Sequence, residues 1–154
     1  MPEIYTVPRE RMRDQMDLLL LADPDEAMID RYLDRCVMLA VREGETVLSE
    51  VCVEQMENGD WEIRNTATRP DRENQGWASL LIRRVLARAV SEHRTVWVGT
   101  SPEGVGFYRR LGFRPAGVRR GFFLQYREPV LENGTRLEDM LMLCYDREET
   151  EWIS

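Results

Sequence analysis

The chain has 154 residues, 43% apolar and 32% charged, with 21 basic against 28 acidic side chains and a net charge of −7. That length and composition suit one globular core, a single domain over 1–154, and exclude a disordered chain or an apolar membrane span. The acidic balance argues against nucleic acid as a partner and suits a cationic small molecule.

Met1-Pro2-Glu3-Ile4-Tyr5 has no basic stretch and no apolar signal core, so export is not expected and a cytoplasmic location is. Thr6 and Pro8 are expected to open a first helix, with Met12, Met16, Leu19 and Leu20 on one face. Asp23-Pro24-Asp25-Glu26 reads as a capping box with proline at the first helical position. The second helix would carry Met28, Tyr32 and Leu33 inward. Segments 36–42 and 46–56 are apolar or alternating, with Gly44 between them, and read as a hairpin. Asn58-Gly59-Asp60 turns into a strand over 61–68, and Pro70 ends it.

A helix follows to about Val90, with Leu81, Ile82, Val85, Leu86 and Ala89 on its apolar stripe. Arg83, Arg84 and Arg88 lie on the other side and read as a solvated face. Residues 95–98 form a strand; Ser101 caps a helix with Pro102 at its first position, and Gly112 stops it. Phe113 begins a further strand, 119–134 is irregular and aromatic, and 137–145 is the last strand. The order implies an α+β domain with a sheet of about seven strands. Cys36, Cys52 and Cys144 each sit among apolar residues and read as buried free thiols. No cysteine or histidine cluster has metal spacing, so no metal is expected. The one histidine, His93, falls in a helix-to-strand turn and reads as solvated or capping. Every basic residue is arginine, whose planar fork suits phosphate contacts.

Two segments carry chemistry. The first is Arg72-Glu73-Asn74-Gln75-Gly76-Trp77-Ala78-Ser79-Leu80, a short polar turn between a strand and a helix. The first amides of a helix lack internal partners and sit at the positive end of its dipole, so such a turn is an anion site as well as a helix start. Gly76 and the small Ala78 let a ligand approach the backbone. The second is Phe107-Tyr108-Arg109-Arg110-Leu111-Gly112-Phe113.

Together they resemble the Gcn5-related N-acetyltransferases, the GNAT family. Its turn reads Gln/Arg-x-x-Gly-x-Gly/Ala, filled by Gly76 and Ala78, with Glu73 standing at the first position as a departure. Its second signature, an aromatic, tyrosine, two variable residues and Leu-Gly-Phe, is matched throughout by residues 107–113. The resemblance covers roughly residues 30–118. It implies the GNAT fold, a mostly antiparallel sheet flanked by helices, and transfer of an acetyl group from acetyl-coenzyme A to a primary amine. The expected acceptor is a small-molecule amine, polycations included. The alternatives are a GNAT-like module that binds coenzyme A without turnover, as a sensor or assembly part, and an enzyme acting on a protein N-terminus or lysine.

Carried onto this chain, the resemblance gives the pantetheine arm to the strand end Thr66, Ala67 and Thr68, and the pyrophosphate to the backbone of Asn74, Gln75, Gly76, Trp77, Ala78 and Ser79. Arg72 or Arg69 would offset the charge of Glu73. Tyr108 is the implied general acid, and a tyrosine is protonated at neutral pH without tuning. Glu62 is the implied base, expected on the strand face of Thr66 and Thr68, partly buried with a raised pKa. Its competitors are Glu54, Glu128, Glu132 and a chain of waters, and a plain surface strand glutamate is the other reading. Many family members carry an asparagine near the start of the tyrosine's helix; Thr100-Ser101-Pro102-Glu103-Gly104 has none, leaving the backbone or Thr100 for that contact. The stretch 121–140 resembles the tail of a bacterial subgroup of the family. Its Phe122, Phe123 and Tyr126, interleaved with carboxylates, suit a cationic amine, or else cover the sheet or a homodimer contact.

Overall fold

The computed structural model describes residues 1–146. Its first strand, β1 (Glu3–Thr6), lies antiparallel to β2 (Cys36–Glu43), with Tyr5 opposite Ala40. β2 turns at Gly44 into β3 (Thr46–Gln55), and β3 pairs antiparallel with β4 (Trp61–Thr68). β5 (Val96–Thr100) runs parallel to β4. There follow β6 (Arg114–Arg119), a separate hairpin of β7 (Leu131–Glu132) and β8 (Thr135–Arg136), and β9 (Met140–Tyr145). The main sheet has seven strands in the order β1-β2-β3-β4-β5-β9-β6, antiparallel except at β4–β5.

Strand alternation gives the sheet two buried faces. On one, α1 (Met16–Ala22) and α2 (Glu26–Asp30) set Leu18, Leu19 and Ile29 against Met38, Cys52 and Ala67. On the other, α3 (Trp77–Ser91) sets Leu81, Ile82 and Leu86 against Val51, Ile63 and Val98, and α4 (Val105–Arg110) packs beside it. Each of these leucine, isoleucine, valine and methionine side chains contributes about 1.5–3 kcal/mol when fully buried. Arg83, Arg84 and Arg88 are exposed on the outer side of α3, as their positions on its stripe require. The three cysteines are buried and form no disulfide. His93 is exposed in the turn after α3, with φ +58°. No helix among the described residues is long and apolar enough to cross a membrane.

The N-terminus departs from expectation. Residues 3–6 pair as an edge strand, and Arg9–Gln15 is a 3₁₀ helix; α-helix begins only at Met16. In Arg9–Gln15 only Met12 is buried, too little apolar surface to hold a longer α-helix against the sheet. The next helix starts later than its motif suggested. Asp25 is the cap, accepting from the Ala27 amide at 2.9 Å, so Pro24 precedes the helix and Asp23 caps nothing. Ser101 makes no side-chain cap; Pro102–Gly104 is a 3₁₀ turn leading into α4.

Two local features of β4 shape everything that follows. Its pairing with β5 covers Trp61↔Val96, Glu62↔Trp97 and Ile63↔Val98, then stops. β4 runs on to Thr68, so the two strands part and leave a notch. There is also a bulge. Cys52 opposes Asn65 while Val53 opposes Ile63, which makes Arg64 the extra residue. A bulge reverses the alternation beyond it: Ile63 faces the α3 core and Ala67 the α1 core, although they are four residues apart.

Candidate active site

A cavity of about 920 Å³ runs through the notch between β4 and β5. At one end is the turn into α3. Asn74 and Gly76 both have left-handed backbone, φ +62° and +85°, and Gly76 is the residue before the helix. Glycine takes that conformation at no steric cost, and a Cβ on Gly76 would meet no protein atom within 4 Å. The space beside it is therefore open to a ligand. The first amides of the 15-residue α3 point out of the helix end with its positive dipole behind them, which suits a phosphate.

Of the turn residues, Asn74, Gly76, Trp77, Ala78 and Ser79 line the cavity. The Gln75 side chain does not, and accepts instead from Trp77 Nε1 at 2.9 Å. Glu73 lines it as well, exposed. The two arginines expected to offset Glu73 are engaged elsewhere, Arg72 with Glu43 at 2.9 Å and Arg69 with Asp17 at 3.4 Å.

Midway along the notch, Thr66, Ala67 and Thr68 of β4 face Gly99 and Thr100 of β5 across the gap. Tyr108 reaches the same space from α4, its ring held edge-on between Phe107 (5.0 Å) and Phe113 (5.6 Å). Burial raises the Tyr108 pKa, and the nearby Thr66 hydroxyl partly opposes the rise. Thr66 Oγ1 is itself buried without a well-aligned hydrogen bond. The phenol is thus a proton donor at neutral pH. Thr100, Ser101 and Gly104 line the cavity beside it.

A family model described as an acetyltransferase (GNAT) domain matches residues 34–115, more than half of the chain. The chain belongs to the GNAT family. The uncharacterized N-acetyltransferase YvbK of Bacillus subtilis is 29% identical over 143 residues, covering 89% of this chain and 92% of that protein. The structure of an IAA acetyltransferase from Bacillus cereus superposes with TM-score 0.84 at 26% identity, over 95% of this chain and 99% of the other. A GNAT acetyltransferase from Elizabethkingia anophelis with acetyl-coenzyme A bound also gives 0.84, at 28% identity over 94% and 97%. This GNAT protein is an acetyl-coenzyme A-dependent acyltransferase.

The far end of the cavity in this acetyltransferase differs from the sequence reading. Glu62 lines it, but only 4% of the residue is exposed, and both its oxygens accept from Arg119, at 3.0 and 3.1 Å. Arg64 Nε stands 3.7 Å from the same carboxylate. Nor does Glu62 share a face with Thr66 and Thr68. The bulge at Arg64 puts it on the α1 side and the two threonines on the α3 side. Of its expected competitors, Glu54 is held at 2.8 Å by both Arg35 and Arg64 and lies outside this cavity. Glu132 accepts from the Glu103 amide at 3.0 Å, and Glu128 is exposed.

Sequence reasoning missed a buried polar cluster on that side. Asp23 Oδ2 accepts from the Tyr32 hydroxyl at 2.8 Å. Asn65 Nδ2 donates to the same hydroxyl at 3.0 Å and to the Leu19 carbonyl at 3.1 Å. Burial raises the Asp23 pKa, while the Tyr126 and Tyr32 hydroxyls oppose the rise. Asp23, Tyr32, Asn65 and Tyr126 all line the cavity. The signal in the sequence was an acid two residues before a better cap, leaving Asp23 without a local job. Phe122, Phe123 and Tyr126 form a wall of rings with centroids 5.4–6.0 Å apart. The Phe122-Phe123 pair is not exposed: Phe123 is buried and both rings line the cavity.

Proposed function

We propose that this acetyltransferase moves an acetyl group from acetyl-coenzyme A to the primary amine of a small molecule. The observation that carries the reading is that one cavity brings the parts together. It joins a turn suited to pyrophosphate, an unpaired strand edge at 66–68, the Tyr108 hydroxyl and a ring-walled end with a buried acid. In this reading the amides of 74–79 hold the pyrophosphate and the pantetheine arm pairs with the free edge of β4. A buried, ring-lined end favours a small acceptor over a folded protein surface.

The reaction then balances simply. The acceptor ammonium loses a proton and its nitrogen lone pair attacks the thioester carbonyl, forming the C–N bond. Collapse of the tetrahedral intermediate breaks the C–S bond. The sulfur takes the Tyr108 proton and leaves as the thiol of coenzyme A. The tyrosinate regains a proton from the acylated nitrogen, so the cycle releases one proton to water. Glu62, held by Arg119, forms part of the acceptor wall.

The test is thiol release from acetyl-coenzyme A with small primary amines and with a lysine-bearing peptide. Small amines are expected to give the higher kcat/KM. Preference for the peptide would overturn the small-molecule assignment, and no release with any acceptor would overturn the transfer reading.

A further inference from the structure

Two buried carboxylates line the cavity, Asp23 and Glu62. They differ in charge. Glu62 is neutralised by Arg119, whereas Asp23 has no ion pair within 4 Å among the described residues. A buried carboxylate without a counter-ion is an unfavourable arrangement that a bound cation would relieve.

The surroundings of Asp23 point the same way. Asn65, Tyr32 and Asp23 form one hydrogen-bonded chain, with Tyr32 in the middle. At its two ends, Asp23 Oδ1 and Asn65 Oδ1 are buried without a well-aligned hydrogen bond, although the Tyr126 hydroxyl also favours the Asp23 carboxylate. The Asn65 orientation is set by its donation to the Leu19 carbonyl, so its free atom is the oxygen. Both unsatisfied atoms are acceptors. The missing group is therefore a donor, and an ammonium supplies three N–H bonds with the matching charge.

The geometry points to Asp23, held by Tyr32 and Asn65, as the residue that binds the acceptor's ammonium and takes its proton, selecting primary amines with a single positive charge. This assignment rests on the acetyl-transfer reading above. The proton leaves nitrogen for the Asp23 carboxylate, and the carboxyl later returns it to water. The freed lone pair meets the thioester from the α1 side of β4, while Tyr108 serves the sulfur from the α4 side. The selection follows from the charge count, since Asp23 is the one buried cavity carboxylate left unneutralised among the described residues. The rings of Phe122 and Tyr126 offer an apolar wall for the rest of the acceptor.

The groups that set Asp23's titration are Asp25 from the start of α2, Arg64 from β4, and the Tyr32 and Tyr126 hydroxyls. Burial outweighs them and keeps its pKa above the ordinary carboxylate value. Activity requires the carboxylate, so the acid limb of kcat/KM for the amine should lie above that of an ordinary aspartate.

The experiment measures thiol release with acetyl-coenzyme A and butylamine, 2-phenylethylamine or spermidine, across pH, in wild type, Asp23→Asn, Glu62→Gln and Tyr32→Phe. Calorimetry with coenzyme A reports whether each variant is folded. Asp23→Asn should lower kcat/KM for the best amine about 100-fold, leave the KM for acetyl-coenzyme A alone, and abolish the acid limb. Glu62→Gln should keep that limb. Tyr32→Phe, which keeps the carboxylate but removes a hydroxyl that lowers its pKa, should shift the limb upward. If Asp23→Asn fails to fold, the Tyr32→Phe shift decides. A loss under tenfold in folded Asp23→Asn, a limb lost only in Glu62→Gln, or no shift in Tyr32→Phe overturns the assignment and leaves acetyl transfer standing. Spermidine as best acceptor overturns the single-charge selection. A wild type inactive with every amine overturns both readings together.

Discussion

Replacing Glu50 with glutamine is expected to stabilise the protein, and more so as pH rises. Glu50 lies on β3 with no exposed surface. Its Oε1 accepts from the Cys52 thiol at 3.2 Å, its Oε2 makes no well-aligned hydrogen bond, and the Ala67 amide favours the carboxylate. Burial pushes its carboxyl up to about 8. In the unfolded chain the same group titrates near 4.3, at roughly the ordinary glutamate value. Between those values the folded state keeps a proton that the unfolded state has released. The stability this gives is fully present below about pH 4 and is lost progressively as pH rises to about 8. One pKa unit is worth about 1.4 kcal/mol. By pH 7 the loss is on the order of 3 kcal/mol, which a glutamine of the same shape does not incur. For a domain of this size that is on the order of 10 °C in Tm. The glutamine carbonyl still accepts from Cys52, while its NH₂ loses the favourable contact with the Ala67 amide and gives back part of that gain. Asp23, also raised, adds a slope of the same sign to both proteins, so their difference isolates Glu50. Scanning calorimetry from pH 5 to 8 should show the two Tm curves diverging with pH, the variant higher. Parallel curves would refute the reasoning.

Gly76→Asp should abolish coenzyme A binding with the fold largely intact, because it places a charge and a Cβ at a φ of +85° beside the amides of α3; an unchanged calorimetric Kd would remove residues 74–79 from the cofactor site. Tyr108→Phe should lower kcat about ten- to a thousand-fold with little change in cofactor affinity, the size expected for a lost general acid. If turnover is untouched, the Tyr108 ring serves only its packing against Phe107 and Phe113. Tyr126→Ala should raise the acceptor KM far more than that of acetyl-coenzyme A. An unchanged acceptor KM with sedimentation shifted towards monomer would instead make 122–132 a contact between copies of the chain.

Much of the architecture is written locally. The strand at 61–68 and the helix after Gly76 follow from short-range pattern, and the observed β4 and α3 match those readings closely. The left-handed turn before α3 and the place of Tyr108 beside the cavity were legible for the same reason: each is a property of a few consecutive residues, through backbone conformation at Gly76 and one signature around Tyr108. The first helix misled because the pattern at 9–16 was helical while the surface it buries is a single methionine.

The far end of the cavity was decided only by the tertiary structure. Glu62 meets Arg119 from 57 residues away, and Asn65 reaches the Leu19 carbonyl across 46. No local pattern encodes such pairs, since they depend on which strands become neighbours. The bulge at Arg64 reversed a face assignment that strict alternation had made for Glu62. Asp23 carries the lesson furthest. Locally it is one acid among several before a helix, and Asp25 takes the cap. Burial beside Tyr32, without a counter-ion, is what makes it chemically distinctive, and burial is a property of the assembled fold rather than of any segment of the chain.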